Sequence, residues 1–420
     1  MEKIFTVAIL GVGARGADVY GPLIHRQNNR YNIVALCDCN VNRLEAASKK
    51  FDVSKENCFV DENEFFKQKR ADLLLVATQD RDHYGHCLKG FELGYDIMTE
   101  KPLTDSKEEC INLLKAQQQS GRKALVCHVL RYAPAFLKAA ELIDDGNIGN
   151  LVAINALERV AYWHQAHSYI RGNWRNTDIA APMILAKCCH DLDLLQYYAK
   201  SKCESISSTG NLIFFKKDNM PKDAADYCVS CKHKADCPYS AERIYLEKWN
   251  EQGCPEDSWP YNVITTSPVT KDKIVAAIEN GPYGRCVFNC DNNVVDHQLT
   301  TMTFENGVKA TLTMTGFTSQ MGRRYHFHGT LGELILDETE HRITICKFGK
   351  EVEYIDFKVL EDGGYGHGGG DFFLIEQLYD VMQGNSCGNT SFEASIESHL
   401  MGICAEESRL HSGELITVHN

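Results

Sequence analysis

At 420 residues the chain is too long for one ordinary core, so two domains are expected. A hydrophobic content of 44% with 24% charged residues is that of a globular protein, and a net charge of −13 argues against nucleic acid or an anionic membrane as partner. No apolar run approaches the roughly 18 residues of a membrane span, and the chain starts directly on an apolar stretch; a cytoplasmic protein is expected, its 18 cysteines being thiols, metal ligands or small core residues.

Residues 3–10 read as a short buried strand that runs into Gly11-Val12-Gly13-Ala14-Arg15-Gly16 and then a helix. This is the context a G-x-G-x-x-G motif needs: one glycine for the tight turn, one for close approach of backbone to a pyrophosphate, one for helix–strand packing. A second strand, residues 31–38, ends in Asp38, about 20 residues on, where a carboxylate can bind the adenosine ribose hydroxyls. A carboxylate repels a 2′-phosphate, so NAD is preferred to NADP. Further strands are expected at 71–78, 95–98 and 123–129, alternating with helices at 41–51, 83–93 and 106–120. Such β-α repeats predict a doubly wound parallel sheet, a Rossmann domain over residues 1–130. Ligands on these sheets sit at the carboxyl ends of the strands, which is where Gly11–Gly16, Asp38, Thr78, Gln79, His83, Glu100 and Lys101 fall.

From about residue 150 the pattern changes. Strands at 151–157, 298–304, 308–314 and 341–348 predict an α+β domain with a large, mostly antiparallel open sheet over residues 131–420, with helices at 371–382 and 391–410 packing back on the first domain. Between Tyr162 and Arg175 stand two Trp, two His and two Arg, including Trp163, His164, His167, Arg171 and Trp174. Aromatic faces with polar partners suit a sugar ring, and Arg171 or Arg175 can clamp a carboxylate; the alternative is a domain-interface loop with aromatic anchors. An insertion at about 218–260 carries Cys228-x2-Cys231-x5-Cys237. Three thiols so close suggest a structural zinc that ties down a loop with little core of its own, the fourth ligand being His233, Cys254, Cys286, Cys290 or Cys189.

With Glu100-Lys101-Pro102 following the dinucleotide fingerprint, the chain resembles the glucose–fructose oxidoreductase/inositol dehydrogenase (Gfo/Idh/MocA) family. The resemblance covers essentially the whole chain and includes Val76-Ala77-Thr78 with His83, Cys127-His128, Lys187-Cys188-Cys189-His190-Asp191, Gly368-Gly369-Gly370-Asp371 and Ala405 to Leu410. It implies NAD(P) as cofactor, a carbohydrate carbinol as substrate and a homodimer or homotetramer assembled through the open sheet. It also implies Lys101 beside the nicotinamide, polarising the reacting oxygen, and His190 as general base. Where the family often carries an aspartate four residues before that histidine, this chain has Ala186. The resemblance to a subgroup with this Trp/His stretch before a Lys-x-Cys-His-Asp helix marks Trp163, His164, His167, Arg171, Trp174, Lys187 and Asp191 as the substrate wall, with His128 lining the nicotinamide cleft. The expected activity is an NAD-dependent carbohydrate dehydrogenase. Two other readings are an NAD-dependent glycosidase working by transient C3 oxidation, with His164 and His167 as extra acid/base groups, and a non-enzymatic NAD-binding sensor.

Overall fold

The computed structural model describes residues 3–357 and 366–419. Strands β1 (Phe5–Leu10), β2 (Tyr31–Cys37), β3 (Cys58–Phe59), β4 (Leu73–Val76), β5 (Asp96–Thr99) and β6 (Ala124–Val126) form a sheet in the order β3-β2-β1-β4-β5-β6, every neighbouring pair parallel. Their side chains are apolar on both faces because both faces are covered. Gly21–Arg26, Val41–Lys50 and Gly370–Gln383 pack on one side through Leu23, Ile24, Leu44, Leu374 and Ile375. His83–Glu92, Lys107–Ser120 and the start of Phe392–Leu410 cover the other through Cys87, Phe91, Leu113 and Ile396. The order reverses between β1 and β4, and that switch point opens the crevice where a dinucleotide sheet holds its ligand.

The second sheet has nine strands, β7 (Leu151–Arg159), β8 (Cys203–Asn211), β9 (His297–Phe304), β10 (Lys309–Thr315), β11 (Gly322–Gly329), β12 (Gly332–Asp337), β13 (Arg342–Lys347), β14 (Glu353–Asp356) and β15 (Ile416–Thr417), in the order β14-β13-β12-β11-β7-β10-β9-β8-β15. Only the central pair β7/β10 is parallel. Alternation is clean: Ala310, Leu312 and Met314 of β10 and Tyr325 and Phe327 of β11 point into a core closed by helices Pro134–Asp144, Cys189–Ala199 and Phe392–Leu410. The fold is thus the expected Rossmann domain plus a large, mostly antiparallel sheet. Among the described residues no helix is long and apolar enough to cross a membrane.

The connection between β8 and β9 corrects one expectation. It builds an apolar core of its own from Phe215, Tyr245, Trp249, Tyr261, Ile274 and Ile278, closed by Ala166 and Ile170 from the segment after β7. The insertion therefore has packing of its own, where the sequence suggested little core.

Candidate active site

The glycine turn is shaped by contact. Gly11 has φ +89°, and a Cβ there would stand 2.4 Å from the Ala77 carbonyl oxygen; at Gly16 a Cβ would stand 2.0 Å from the Gly11 oxygen. At Gly13 the nearest atom would be Arg43 Nη1, 3.8 Å away, so this stretch of backbone is open to a pyrophosphate. Ala14–Tyr20 follows as a wide π-helical turn continuous with Gly21–Arg26. Asp38, at the end of β2, accepts from the Val12 amide at 2.8 Å through Oδ2 and from the Asn40 amide at 2.8 Å through Oδ1, which fixes the turn against the ribose position. These residues fit a dinucleotide. His83 is buried and bridges the two neighbouring loops, its Nδ1 2.7 Å from the Pro102 oxygen and its Nε2 3.2 Å from the Thr78 oxygen. It therefore positions Thr78 and Gln79 through their backbone.

Arg15 turns inward from the same motif. Its Nε lies 2.6 Å from Glu100 Oε1 and its Nη2 2.6 Å from Asp371 Oδ1, with the guanidinium over the Tyr20 ring. Burial alone would raise the Glu100 carboxyl, but the charges of Arg15 and then Lys101 overcome it and hold it at about 2.

Lys101 follows, joined to Pro102 by a cis peptide, and its Nζ donates to the Ala186 carbonyl oxygen at 3.0 Å across the domain junction. Ala186 thus meets the lysine through its backbone. His190, 4% exposed at the start of Cys189–Ala199, has no hydrogen-bond partner on Nδ1. Burial first, then the Lys101 and His367 charges, keep it far below its ordinary 6.5, as a neutral imidazole. Its ring is 6.1 Å from that of His128 and 5.7 Å from that of His367. His128 is fully buried, neither ring nitrogen has a hydrogen-bond partner, Nε2 standing 3.9 Å from Asp193 Oδ1, and burial with the Arg131 and Lys101 charges depresses it as well. His367, 37% exposed in its side chain, has Nδ1 2.9 Å from Asp371 Oδ2. A chain of side chains therefore runs from His190 to the surface.

Several expected wall residues are held elsewhere. Asp191 is fully buried and binds Arg323 (Nε to Oδ1, 2.9 Å) and the Tyr325 hydroxyl (2.9 Å). Arg323 also reaches Glu158 at 2.8 Å, and Lys187 Nζ stands 3.3 Å from Glu158 on the far side. Asp191 thus supports the floor of the site and does not face it, and Glu158 and Arg323 are members that inspection of the sequence missed. His167 accepts or donates at Tyr245 Oη (2.9 Å) and stacks on Tyr283; burial, then Arg171, pushes it down to about 3. Arg171 gives Nε to the Arg285 oxygen and Nη2 to the Tyr239 oxygen, both at 2.7 Å, while Arg175 binds Asp291. Arg171 is buried against the insertion and Arg175 is paired with Asp291, so neither is offered to a substrate carboxylate. The reason is local: residues 165–171 wind as a π-helical turn whose buried side packs on the insertion. Trp163 and His164 stay at the edge, with the Trp259 ring centroid 5.3 Å and 5.0 Å from theirs. Trp259, 39% exposed, lay unnoticed in the insertion, where only its aromatic character pointed to the wall. Trp174 donates Nε1 to Asp80 Oδ1 at 3.2 Å and joins the two domains.

Cys228, Cys231 and Cys237 do line one cavity, with Cys286 as the fourth thiol. Cys254 is exposed, Cys290 donates to the Cys286 oxygen, and Cys189 lies by Lys101. A tetrahedral zinc with bonds of about 2.3 Å holds its sulfurs about 3.8 Å apart. Among the described residues, the one group of three such ligand atoms within 4.8 Å of one another is His326, His328 and Glu333 on the second sheet, so the zinc expectation finds no support in the sulfur positions.

A sheet of this strand order with its glycine turn is a dinucleotide-binding Rossmann domain, joined here to an α/β domain built on the second sheet. The chain belongs to the Gfo/Idh/MocA family: residues 5–128 match the model of its oxidoreductase NAD-binding Rossmann fold, and residues 140–408 that of its C-terminal alpha/beta domain. It is 22% identical to a putative oxidoreductase, YteT, of Bacillus subtilis over 99% of both chains. It is 24% identical to an inositol 2-dehydrogenase of Corynebacterium glutamicum over 49% of this chain and 57% of that one. In fold it is similar to levoglucosan dehydrogenase solved with NADH and levoglucosan, at a TM-score of 0.71, 14% identity and 100% of both chains. An Agrobacterium radiobacter oxidoreductase in complex with NAD+, L-tartaric acid and magnesium aligns at a TM-score of 0.70, 12% identity and 99% of both chains.

Proposed function

We propose that this protein is an NAD-dependent dehydrogenase acting on a carbinol carbon of a sugar, polyol or sugar acid. The observation that carries the reading is the approach of Lys101 to the His190 helix at the mouth of the dinucleotide crevice, with Lys101 Nζ on the Ala186 oxygen one turn before His190. Bound NAD supplies the hydride acceptor. Lys101 donates to the substrate oxygen and steadies the negative charge that gathers there as the hydroxyl proton leaves. His190, neutral and without a partner on Nδ1, takes the hydroxyl proton. His367, hydrogen-bonded to Asp371 and open to water, is positioned to pass that proton on. Trp163, His164 and Trp259 form a shelf for the apolar face of a sugar ring, and Lys187 stands at its inner end. The inositol 2-dehydrogenase and levoglucosan dehydrogenase likenesses support a polyhydroxylated ring as substrate.

The test incubates the protein with NAD+ and a panel of free sugars, polyols, uronic acids and aryl glycosides, following NADH absorbance and aglycone release together. NADH accumulating with a free sugar or polyol is the expected result. Aglycone released only with NAD+ present, and no net NADH, would replace this reading by the glycosidase.

A further inference from the structure

The four-thiol cavity lies outside the cleft. An isolated antiparallel bridge pairs Tyr227 with Arg285, with the Cys286 amide donating to the Asp226 oxygen at 2.7 Å, so that Cys228 and Cys286 are diagonal neighbours on one face of the pair. The turn Cys228–Ser230 and the turns after it, with the Cys231 amide on the Cys228 oxygen and the Cys237 amide on the His233 oxygen, carry Cys231 and Cys237 round the same space. The cavity measures about 40 Å³. A single water needs about 10–15 Å³ on that scale.

The charge in the wall is unbalanced. Arg171 is 1% exposed and lines the cavity, with Nη2 3.4 Å from Cys228 Sγ and Nη1 buried without a hydrogen-bond partner. Ser240 Oγ, also in the wall, is buried and unpartnered. The other titratable residues lining the cavity are His233, Lys234 and Tyr239, and Lys234 already pairs with Glu242; among the described residues no carboxylate lines it. A buried guanidinium without a carboxylate calls for another anion, and four neutral thiols do not supply one. Four thiolates do, and they can share a cavity only around a metal centre that offsets their mutual repulsion. Among the described residues no three of these sulfurs lie within 4.8 Å of one another, wider than a single zinc ion holds its ligands. A cubane, with four irons and four sulfides between its cysteines, bridges wider separations.

We propose that Cys228, Cys231, Cys237 and Cys286 bind a [4Fe–4S] cluster, with Arg171 Nη1 and Ser240 Oγ directed at its sulfur atoms. Core and thiolates together carry net negative charge, which balances Arg171, and each thiol loses its proton on binding. The role is structural. The cluster pins the insertion to the turn Gln165–Arg171, directly behind Trp163 and His164, and no electron transfer is part of the assignment.

The full chain, produced with iron and sulfide in supply and purified without oxygen, is analysed for iron and acid-labile sulfide. About four of each per chain are expected, with broad sulfide-to-iron absorption and a paramagnetic signal after reduction by dithionite. Cys286→Ala loses at least half of both, whereas Cys290→Ser and Cys254→Ser, checked for folding by circular dichroism, keep the full complement. Sulfide analysis separates this centre from an ion taken up at His326, His328 and Glu333, which would bring metal alone. Zinc without labile sulfide, iron without labile sulfide, or no metal after reconstitution would each overturn the proposal. Loss of the cluster in Cys290→Ser with retention in Cys286→Ala would overturn the ligand assignment.

Discussion

The guanidinium of Arg15, in the turn after the first strand, stands 2.6 Å from the carboxylate of Asp371, 356 residues further along the chain. Through the other edge of the same group it holds Glu100, the residue before Lys101. One cation therefore ties the glycine turn, the Glu-Lys-Pro turn and the start of helix Gly370–Gln383, and Asp371 in turn holds His367 beside His190.

The buried end of that cluster makes folding acid-sensitive. Glu100 is held at about 2 against an ordinary 4.5, so its contribution is complete above pH 4.5 and is lost as pH falls toward 2. Glu100→Gln is expected to cost on the order of 2–3 kcal/mol at pH 7. It should also flatten the decline between pH 4.5 and 3, read from denaturant midpoints at each pH. An unchanged acid slope would remove Glu100 from the account.

Gly11→Ala must fit a side chain at φ +89°, 2.4 Å from a carbonyl oxygen. The expected result is a stability loss of about 2 kcal/mol or more and NAD binding weakened at least tenfold. Thermal shift with and without NAD reads both.

Lys101→Met keeps the stem and removes the ammonium. Turnover should fall roughly 10²–10⁴-fold while NAD affinity, measured by fluorescence titration, stays nearly the same. A loss confined to NAD affinity would make Lys101 a cofactor ligand only.

Because burial and the Lys101 charge push His190 below 6.5, it stays neutral through the physiological range. For a group so depressed, protonation sets in only well below its ordinary value. The rate at low substrate should therefore hold steady from pH 8 to 6.5, with no fall centred at 6.5. His190→Gln should lower it throughout by about 10²-fold or more. A wild-type profile halved at pH 6.5 would mean that another histidine is the base.

Asp191 separates a support from a substrate contact. Asp191→Asn leaves Arg323 buried with only part of its counter-charge, at a cost of ~3 kcal/mol. Urea unfolding should register that loss while KM changes little. A large rise in KM with stability intact would return Asp191 to the substrate wall.

Much of the fold was legible because its signals are local. The glycine turn, Asp38 and the apolar runs of β1, β2 and β4 each carry their own pattern. Lys101 and His190 are marked by neighbours in sequence as well as by what surrounds them. Strands β3, β8, β11, β12, β14 and β15 escaped notice. Strands β3 and β15 have two residues each, and β8 reads Cys-Glu-Ser-Ile-Ser-Ser-Thr-Gly-Asn, nearly as polar on its buried side as on its exposed one. Strand β11 sets Arg and His beside its buried Tyr325 and Phe327, whereas β12 alternates plainly and escaped notice all the same. The wall was harder still. Whether His164 or His167 faces the cleft depends on the winding of residues 165–171 and on an insertion that contributes Tyr245, Trp259 and Tyr283 from far along the chain. The cysteine grouping has the same origin, since Cys286 joins the other three only through the bridge from Arg285 to Tyr227.

The most direct test of the account follows a deuterium label. With whichever sugar or polyol reduces NAD+, the reacting carbon is deuterated and the products are read by NMR. The account predicts that the label arrives at C4 of the nicotinamide, that NADH accumulates one for one with the carbonyl product, and that Lys101→Met slows this transfer. A label that returns to the sugar or washes into water, with no net NADH, would contradict it.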